Sequence, residues 1–269
     1  MIVTIARNPV DSPNMTANDA AILECITAEL MECGAEVLSI GENEELPNAT
    51  QVICSMSRTR NTIKRLKEAE QKGITILNTP QSVENCSRRR FMEILHNNAI
   101  PQPPFNVLSS SVELQDSCFP CWIKKAKGWS CHRDDVCFSQ TKEEAVAAIE
   151  QMSERGIDEY IQMLHITGDI IKFYGIGNDF FYHCYPGNTK FGKEEKNGVP
   201  KHYHFESNSL KGFAQKAAQA IGLTIYGGDA IITPQGEIFI IDINDFPSFT
   251  AIRDEAAKNI AKLIIGKTK

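Results

Sequence analysis

Two carboxylates and an amide near the end of the chain, Asp229, Asp242 and Asn244, are the residues whose types and spacing could do chemistry. They sit in Tyr226-Gly227-Gly228-Asp229-Ala230-Ile231-Ile232-Thr233-Pro234-Gln235-Gly236-Glu237-Ile238-Phe239-Ile240-Ile241-Asp242-Ile243-Asn244-Asp245-Phe246-Pro247. Two β-branched runs flank Pro234-Gln235-Gly236, a pattern that predicts a hairpin whose turn is centred between Gln235 and Gly236. In an unbulged pair that centre sets Asp229 directly opposite Asp242. Their Cβ atoms would lie roughly 5 Å apart, with Asn244 on the same face. Like charges so placed are destabilising unless something positive lies between them. Oxygen donors alone suit a hard divalent ion, Mg²⁺ or Mn²⁺, rather than Zn²⁺. The other reading of the same alternation is a hairpin with one solvated face, on which both carboxylates meet water.

The rest of the chain must position that hairpin. With 269 residues, 42% hydrophobic and 23% charged, it is long enough to bury a sizeable core or to form two or three small domains. A net charge of -6 argues against a nucleic-acid partner. No stretch approaches the roughly 18 apolar residues of a membrane span, and the N-terminal segment reads as a strand rather than a leader. Nine cysteines, an odd number, with Cys25, Cys33, Cys54, Cys86 and Cys184 inside expected helices or strands, fit reduced residues of a cytoplasmic protein. Cys118-Phe119-Pro120-Cys121 has zinc-type spacing but no second half to complete a site.

Residues 1–104 alternate strand and helix: strands at 2–6, 37–40, 51–55 and 74–78, with helices from Thr16, where Asp19 suggests a capping box, and from Thr59 to Lys72. The first helix carries an apolar stripe of Ile22, Leu23, Ile26, Leu30 and Cys33. A parallel sheet with covering helices follows from this alternation. A further helix spans 88–98, and Pro101-Gln102-Pro103-Pro104 then cannot continue it, so a boundary falls near Pro104. Residues 105–160 predict strands at 121–125 and 134–139 around the loop Gly128–Arg133, followed by a helix capped by Thr141 and Glu144, a unit that fits a lid over a ligand. Residues 161–269 continue strand segments at 159–165, 169–177 and 180–185 into a polar loop, a helix over 210–221, the hairpin and a last helix from Thr250. The fold class is α/β: an N-terminal parallel-sheet domain, a small lid subdomain, and a C-terminal antiparallel-sheet domain that carries the metal site.

In that order the segments resemble the ATP-grasp superfamily over nearly the whole chain. Asn78-Thr79-Pro80, then Ser87-Arg88-Arg89-Arg90-Phe91 and Ala99-Ile100-Pro101, is similar to the helix whose basic residue, here Arg88, contacts the nucleotide ahead of the family's G-I-P. Pro120-Cys121-Trp122-Ile123-Lys124 resembles the P-V-V-V-K strand, whose lysine reaches the phosphates; Lys125 stands where proline is common, and alternation lets only one of the two lysines point inward. Tyr160-Ile161-Gln162-Met163-Leu164-His165 is similar to V-Q-E-F-I, which implies that the main chain of Gln162, Met163 and Leu164 reads the adenine edge, with Met163 replacing an acidic residue. The resemblance places Asp169 near the ribose and Lys172 toward the transferred phosphate, and it makes Asp229, Asp242 and Asn244 the metal ligands.

What the resemblance implies is ATP held between lid and C-terminal domain, with Mg²⁺ (or Mn²⁺) bridging its β- and γ-phosphates. No Walker-type Gly-x4-Gly-Lys-Ser/Thr is present. Most enzymes of the superfamily are ligases that activate a carboxylate as an acylphosphate for attack by an amine or thiol, and the stretch from Leu223 to Phe246 resembles its glutamate-adding ligases. It resembles the inositol-phosphate kinases of the same fold as closely, through Asp242-Ile243-Asn244-Asp245-Phe246-Pro247 and Ile171-Lys172-Phe173-Tyr174. A polyphosphate acceptor needs a dense basic pocket, and the sequence offers only scattered Lys190, Lys193, Lys196, Lys201 and Arg253, with Glu194 and Glu195 interspersed. The expectation is therefore a ligase with small-molecule carboxylate and amine partners, then a small-molecule kinase, then an ATP-binding protein that is not an enzyme; a homodimer is compatible with each. Asp245, Ser248 and Arg253 are candidates for substrate contact, Arg253 with a catalytic role, or else they cap and solvate the last helix.

Overall fold

The structure, a computed structural model, describes residues 1–187 and 193–268, the side chains of Lys193 and Glu194 excepted. Lys190, one of the scattered basic residues, and the side chain of Lys193 lie outside that description.

The N-terminal strands β1 (Ile2–Ile5), β2 (Val37–Ile40), β3 (Val52–Ser55) and β4 (Thr75–Leu77) form a parallel sheet in the order β2-β1-β3-β4. Helices α1 (Thr16–Glu32) and α2 (Arg60–Gln71) cover it. Ile2, Val52 and Cys54 pack with Ile22, Ile26 and Leu30 of α1, whereas Val3, Ile5 and Ile53 pack with Leu66 and Ala69 of α2. Burial on both faces is why β1 and β3 show no polar alternation, every residue of each being buried, Thr4 and Ser55 included. Two details differ from the sequence reading. Thr16 is the first residue of α1 rather than its cap, with its hydroxyl donating to Ser12 O, and Cys33 falls past the helix end and is exposed.

Beyond β4 come α3 (Pro80–Asn85) and α4 (Arg88–Asn97), then β5 (Phe105–Leu108), β6 (Cys121–Lys125), β7 (Val136–Ser139), α5 (Lys142–Glu154) and β8 (Tyr160–Leu164). The second sheet is antiparallel in the order β5-β8-β6-β7. Thr141 caps α5 as expected, accepting from Glu144 N–H. Strand β5 is unannounced in the sequence because four residues directly after a proline run show too little alternation to register. Since β8 belongs to this sheet through Leu164, the chain changes sheets between Leu164 and Asp169.

The third sheet, β10-β9-β11-β12, is antiparallel and joins β9 (Asp169–Ile176), β10 (Phe180–Cys184), β11 (Ile225–Ile232) and β12 (Ile238–Asp245). Helices α6 (Lys193–Asn197), α7 (Ser207–Ile221) and α8 (Arg253–Ile265) complete the chain. One apolar cluster runs from α7 through Ile171, Phe173 and Tyr226 to Phe91 and Met92 of α4 and to Trp122, Ile161 and Met163 of the second sheet. Another ties Tyr174, Ile176 and Ile225 to α8 and to Ile22 and Ile26 of α1. Asn78, just past β4, joins the first and third sheets: its amide donates to Ile225 O at 2.7 Å and accepts from Ile225 N–H at 2.8 Å. Among the described residues no helix is long and apolar enough to cross a membrane.

Candidate active site

Asp229 on β11 faces Asp242 on β12, as the alternation predicts, but the register reaches that pair by a different route. The turn is closed by Thr233 N–H to Glu237 O at 3.0 Å and Gly236 N–H to Thr233 O at 2.9 Å, with Gly236 at φ 83°. Ile232 therefore pairs with Ile238, a register that by itself would bring Asp229 opposite Ile241. A bulge between Asp229 and Ala230 leaves Ile241 unpaired and restores the Asp229–Asp242 match. Asn244 lies opposite Gly227, and its Nδ2 donates to Asp242 Oδ2 at 3.4 Å. The strands can approach this closely because of Gly228, where an added Cβ would fall 2.2 Å from the main-chain oxygen of Asp242.

The charge lying against these carboxylates is partly supplied by the chain. Lys172 is the β9 partner of Asp229, and its Nζ sits 3.0 Å from Asp229 Oδ1. Arg88, the first residue of α4, is half-buried; burial pushes its guanidinium down from the usual value, while Asp242 and Asp135 pull it up. Asp229, Asp242, Asn244, Lys172 and Arg88 thus form one neighbourhood. Two carboxylates and an amide oxygen are the donor set of a hard, hydrated cation, so these residues fit Mg²⁺. Among the described residues no three His, Cys, Asp or Glu side chains gather as metal ligands, which includes the cysteines around Cys121, whose thiol burial pushes up to about 12.

Lys124 and Lys125 separate as alternation requires. Lys124 is buried, 7% exposed, and lies 3.5 Å from the sulfur of Met163, on the face of the second sheet that joins the cluster shared with the third. Lys125 turns the other way, donating to Trp129 O at 3.3 Å and lying 4.0 Å from Asp135. Asp135 organises the lid loop: Oδ2 accepts from the N–H groups of Cys131 and His132 at 3.0 Å each, and Oδ1 from Arg155 at 2.7 Å. Burial pushes its carboxyl up, but these bonds more than offset that and hold it below the usual range. The loop reaches back toward the hairpin, where Arg88 Nη2 donates to Ser130 Oγ at 2.8 Å and the Arg58 guanidinium lies 5.3 Å from the centroid of the Trp129 ring.

Strand order decides which main-chain groups of the expected nucleotide-reading segment are taken. Because β8 lies between β5 and β6, the peptide groups of Gln162 and Met163 serve the two ladders, whereas Leu164 N–H goes to Pro104 O at 2.9 Å and Pro104, having no N–H, returns no bond to the Leu164 carbonyl. The Gln162 side chain is fully buried and clamps the main chain of Gln115 through bonds of 2.9 and 3.0 Å. Asp169 is likewise occupied: its two oxygens accept from Lys201 N–H at 2.7 Å and Tyr203 N–H at 2.9 Å, which fixes the segment leading to α7.

Asp245, a candidate either for substrate contact or for capping and solvating the last helix, is 1% exposed, and Arg58 grips it through Nε at 2.9 Å and Nη2 at 2.7 Å. Arg7 completes the cluster, donating to the main-chain oxygens of Asp245 and Phe246 at 3.1 and 2.9 Å and to Asp19 at 3.2 Å. Burial alone would lower the Arg58 guanidinium, but Asp245 raises it beyond the usual value. Sequence reasoning missed Arg7, Arg58 and Asp19. The available signal was their position, since Arg7 and Arg58 follow the carboxyl ends of β1 and β3, where parallel sheets place functional groups. Arg253, the first residue of α8, donates from Nη2 to Asn18 Oδ1 at 2.8 Å, while its Nε is buried with no hydrogen-bond partner. Ser248 is buried at 7% exposure.

No family model and no curated protein matches the chain. Solved structures do. D-alanine–D-alanine ligase from Bacillus anthracis, complexed with ATP, is 14% identical with a TM-score of 0.74, over 99% of this chain and 96% of the other. The ATP-grasp ligase PsnB, complexed with its minimal precursor, Mg and ADP, is 14% identical with a TM-score of 0.69, over 99% and 98%. A RimK domain protein, described as ATP-grasp, from Sphaerobacter thermophilus is 13% identical with a TM-score of 0.72, over 99% and 100%. Likeness at such low identity is a likeness of architecture, and it extends over the entire chain: this protein has the ATP-grasp fold.

Proposed function

We propose that the protein is an ATP- and Mg²⁺-dependent ligase joining a small-molecule carboxylate to an amine, or a thiol, through an acylphosphate. The observation that carries this reading is the pairing of Asp229 with Asp242, with Asn244 bonded to the latter, in a chain of ATP-grasp fold. Mg²⁺ held by these three side chains would offset the negative charge of the β- and γ-phosphates. Lys124, Lys172 and Arg88 supply fixed cations for the same phosphates, at positions that β6, β9 and α4 hold without reorganisation. The lid loop, already ordered by Asp135, excludes water that would hydrolyse an activated carboxylate. Arg253, with its buried and unpartnered Nε, is proposed to contact the acceptor.

A second reading, transfer of the phosphoryl group to a small anionic acceptor, is favoured by the guanidinium groups of Arg58 and Arg88 beside Asp245 and Asp242. Phosphorus NMR of the protein with Mg-ATP and a metabolite extract separates the two. A ligase yields ADP and free phosphate, dependent on both the extract and Asp242. A new phosphomonoester with no matching free phosphate replaces the ligase reading with the kinase, and ATP binding without any turnover replaces both with a nucleotide-binding protein.

A further inference from the structure

We infer that a cleft beside the reaction centre, between the parallel sheet and the lid loop, binds an anionic group, carboxylate or phosphate, carried by the acceptor substrate. The inference rests on the proposed function only in giving that anion to the acceptor. The cleft has a volume of about 340 Å³, and its walls include Arg58, Arg60 of α2, Arg89 and Arg90 of α4, and Lys127 and Trp129 after β6. Five cationic side chains thus face the same space as two carboxylates, Glu84 and Glu159, in a chain whose net charge is -6. Background composition does not explain such a concentration.

The cations are not equally committed. Arg89 is held by Glu93 at 2.8 Å and Glu159 at 2.6 Å, Lys127 by Asp158 at 2.8 Å, and Arg58 by Asp245. Arg60 makes no ion pair among the described residues. Arg90 has Glu84 at 3.7 Å, but that carboxylate is already bound by Lys67 at 2.8 Å. Two guanidinium forks on exposed side chains are therefore available, and planar forks of this kind recognise carboxylate and phosphate alike.

One further observation points to a negative occupant: the first turns of α2 and α4 contain no acidic residue, and α4 opens with three successive arginines at the positive end of its dipole. That arrangement runs against the preference of helix ends for negative charge and is coherent once an anion is bound there. The cleft adjoins the chemistry at Arg88, which neighbours Asp242 and whose N–H donates to Gly128 O on the cleft wall at 3.4 Å.

The test is calorimetric titration of the full chain with inorganic phosphate and, separately, with tricarballylate, each before and after saturation with Mg-AMPPNP. At least one probe is expected to bind the nucleotide-saturated protein, with affinity falling about tenfold or more in an Arg60→Ala, Arg90→Ala double variant that binds AMPPNP as the original does. Tighter phosphate binding assigns the cleft to a phosphorylated acceptor, and tighter tricarballylate binding to a polycarboxylate; either supports the inference. Failure of both probes to bind, or undiminished binding in the double variant, overturns it. AMPPNP affinity is read separately, so its absence would remove the nucleotide-dependent function and leave the result for the cleft intact.

Discussion

Lys172 Nζ lies 3.0 Å from Asp229 Oδ1, so the carboxylate pair at the centre of the hairpin is already touched by a cation from the neighbouring strand. A divalent ion bound there would compete with the ammonium for the same oxygen or share it. Replacing Lys172 by Met removes the ammonium and leaves Asp229 facing Asp242. The variant is expected to lose about 1 kcal/mol in the absence of Mg²⁺, a modest figure because Lys172 is one-third exposed. It should recover more stability than the unaltered protein when Mg²⁺ is added. Thermal melts with and without Mg²⁺ measure this, and equal gains in the two proteins would show that Lys172 and the metal do not meet at Asp229.

The divergence of Lys124 and Lys125 predicts a ranking. Lys124→Ala should weaken AMPPNP binding by about tenfold or more, because its ammonium is buried on the face joined to the third sheet and cannot be replaced by solvent. Lys125→Ala should change that affinity little and instead loosen the lid loop, by removing the bond to Trp129 O and the charge near Asp135. Calorimetry gives the first effect and amide hydrogen exchange over 128–133 the second. The opposite ranking in calorimetry would mean that the inward-facing lysine is Lys125.

What was legible in the sequence was whatever local pattern determines. Alternation and a Pro-Gln-Gly turn were enough to pair Asp229 with Asp242, although the half-residue error in the turn was cancelled by a bulge that no local signal announces. Strand order is not local. Gln162, Met163 and Leu164 look the same whether β8 lies at an edge or in the centre, and only the placement of β5 on its free side decides that the peptide groups of Gln162 are taken while the Leu164 carbonyl is left opposite a proline. The Arg58–Asp245 contact joins residues 187 apart and the Arg7 contact to Asp245 O residues 238 apart, so neither could be anticipated from spacing.

That long-range cluster sets a stability prediction. Asp245 is buried between Arg58 and Arg7, and Asp245→Asn would leave two buried guanidinium groups without their shared carboxylate. A loss of about 3 kcal/mol is expected, in the range for breaking one member of a buried ion network. The urea midpoint should fall at unchanged slope. A variant that kept its midpoint while turnover lost only substrate affinity would return Asp245 to the role of substrate contact.

A pH dependence follows from His165, whose Nδ1 accepts a hydrogen bond from Trp122 Nε1 at 3.1 Å and whose ring packs against Phe138. Burial pushes its pKa below the usual value, and His183, also partly buried, shifts the same way. Unfolded, the imidazole titrates near its ordinary value of about 6.5. Between that value and the lower one in the fold, the unfolded chain holds more protons, so stability rises with pH across this window. The contribution is fully present above about pH 6.5 and is lost as pH falls through the depressed value. His165→Gln should lower the urea midpoint near pH 7 but flatten its decline toward about pH 5, leaving the part due to His183. An unaltered decline in that variant would mean that the Trp122–His165 contact tolerates the charged ring, and that the acid sensitivity arises elsewhere.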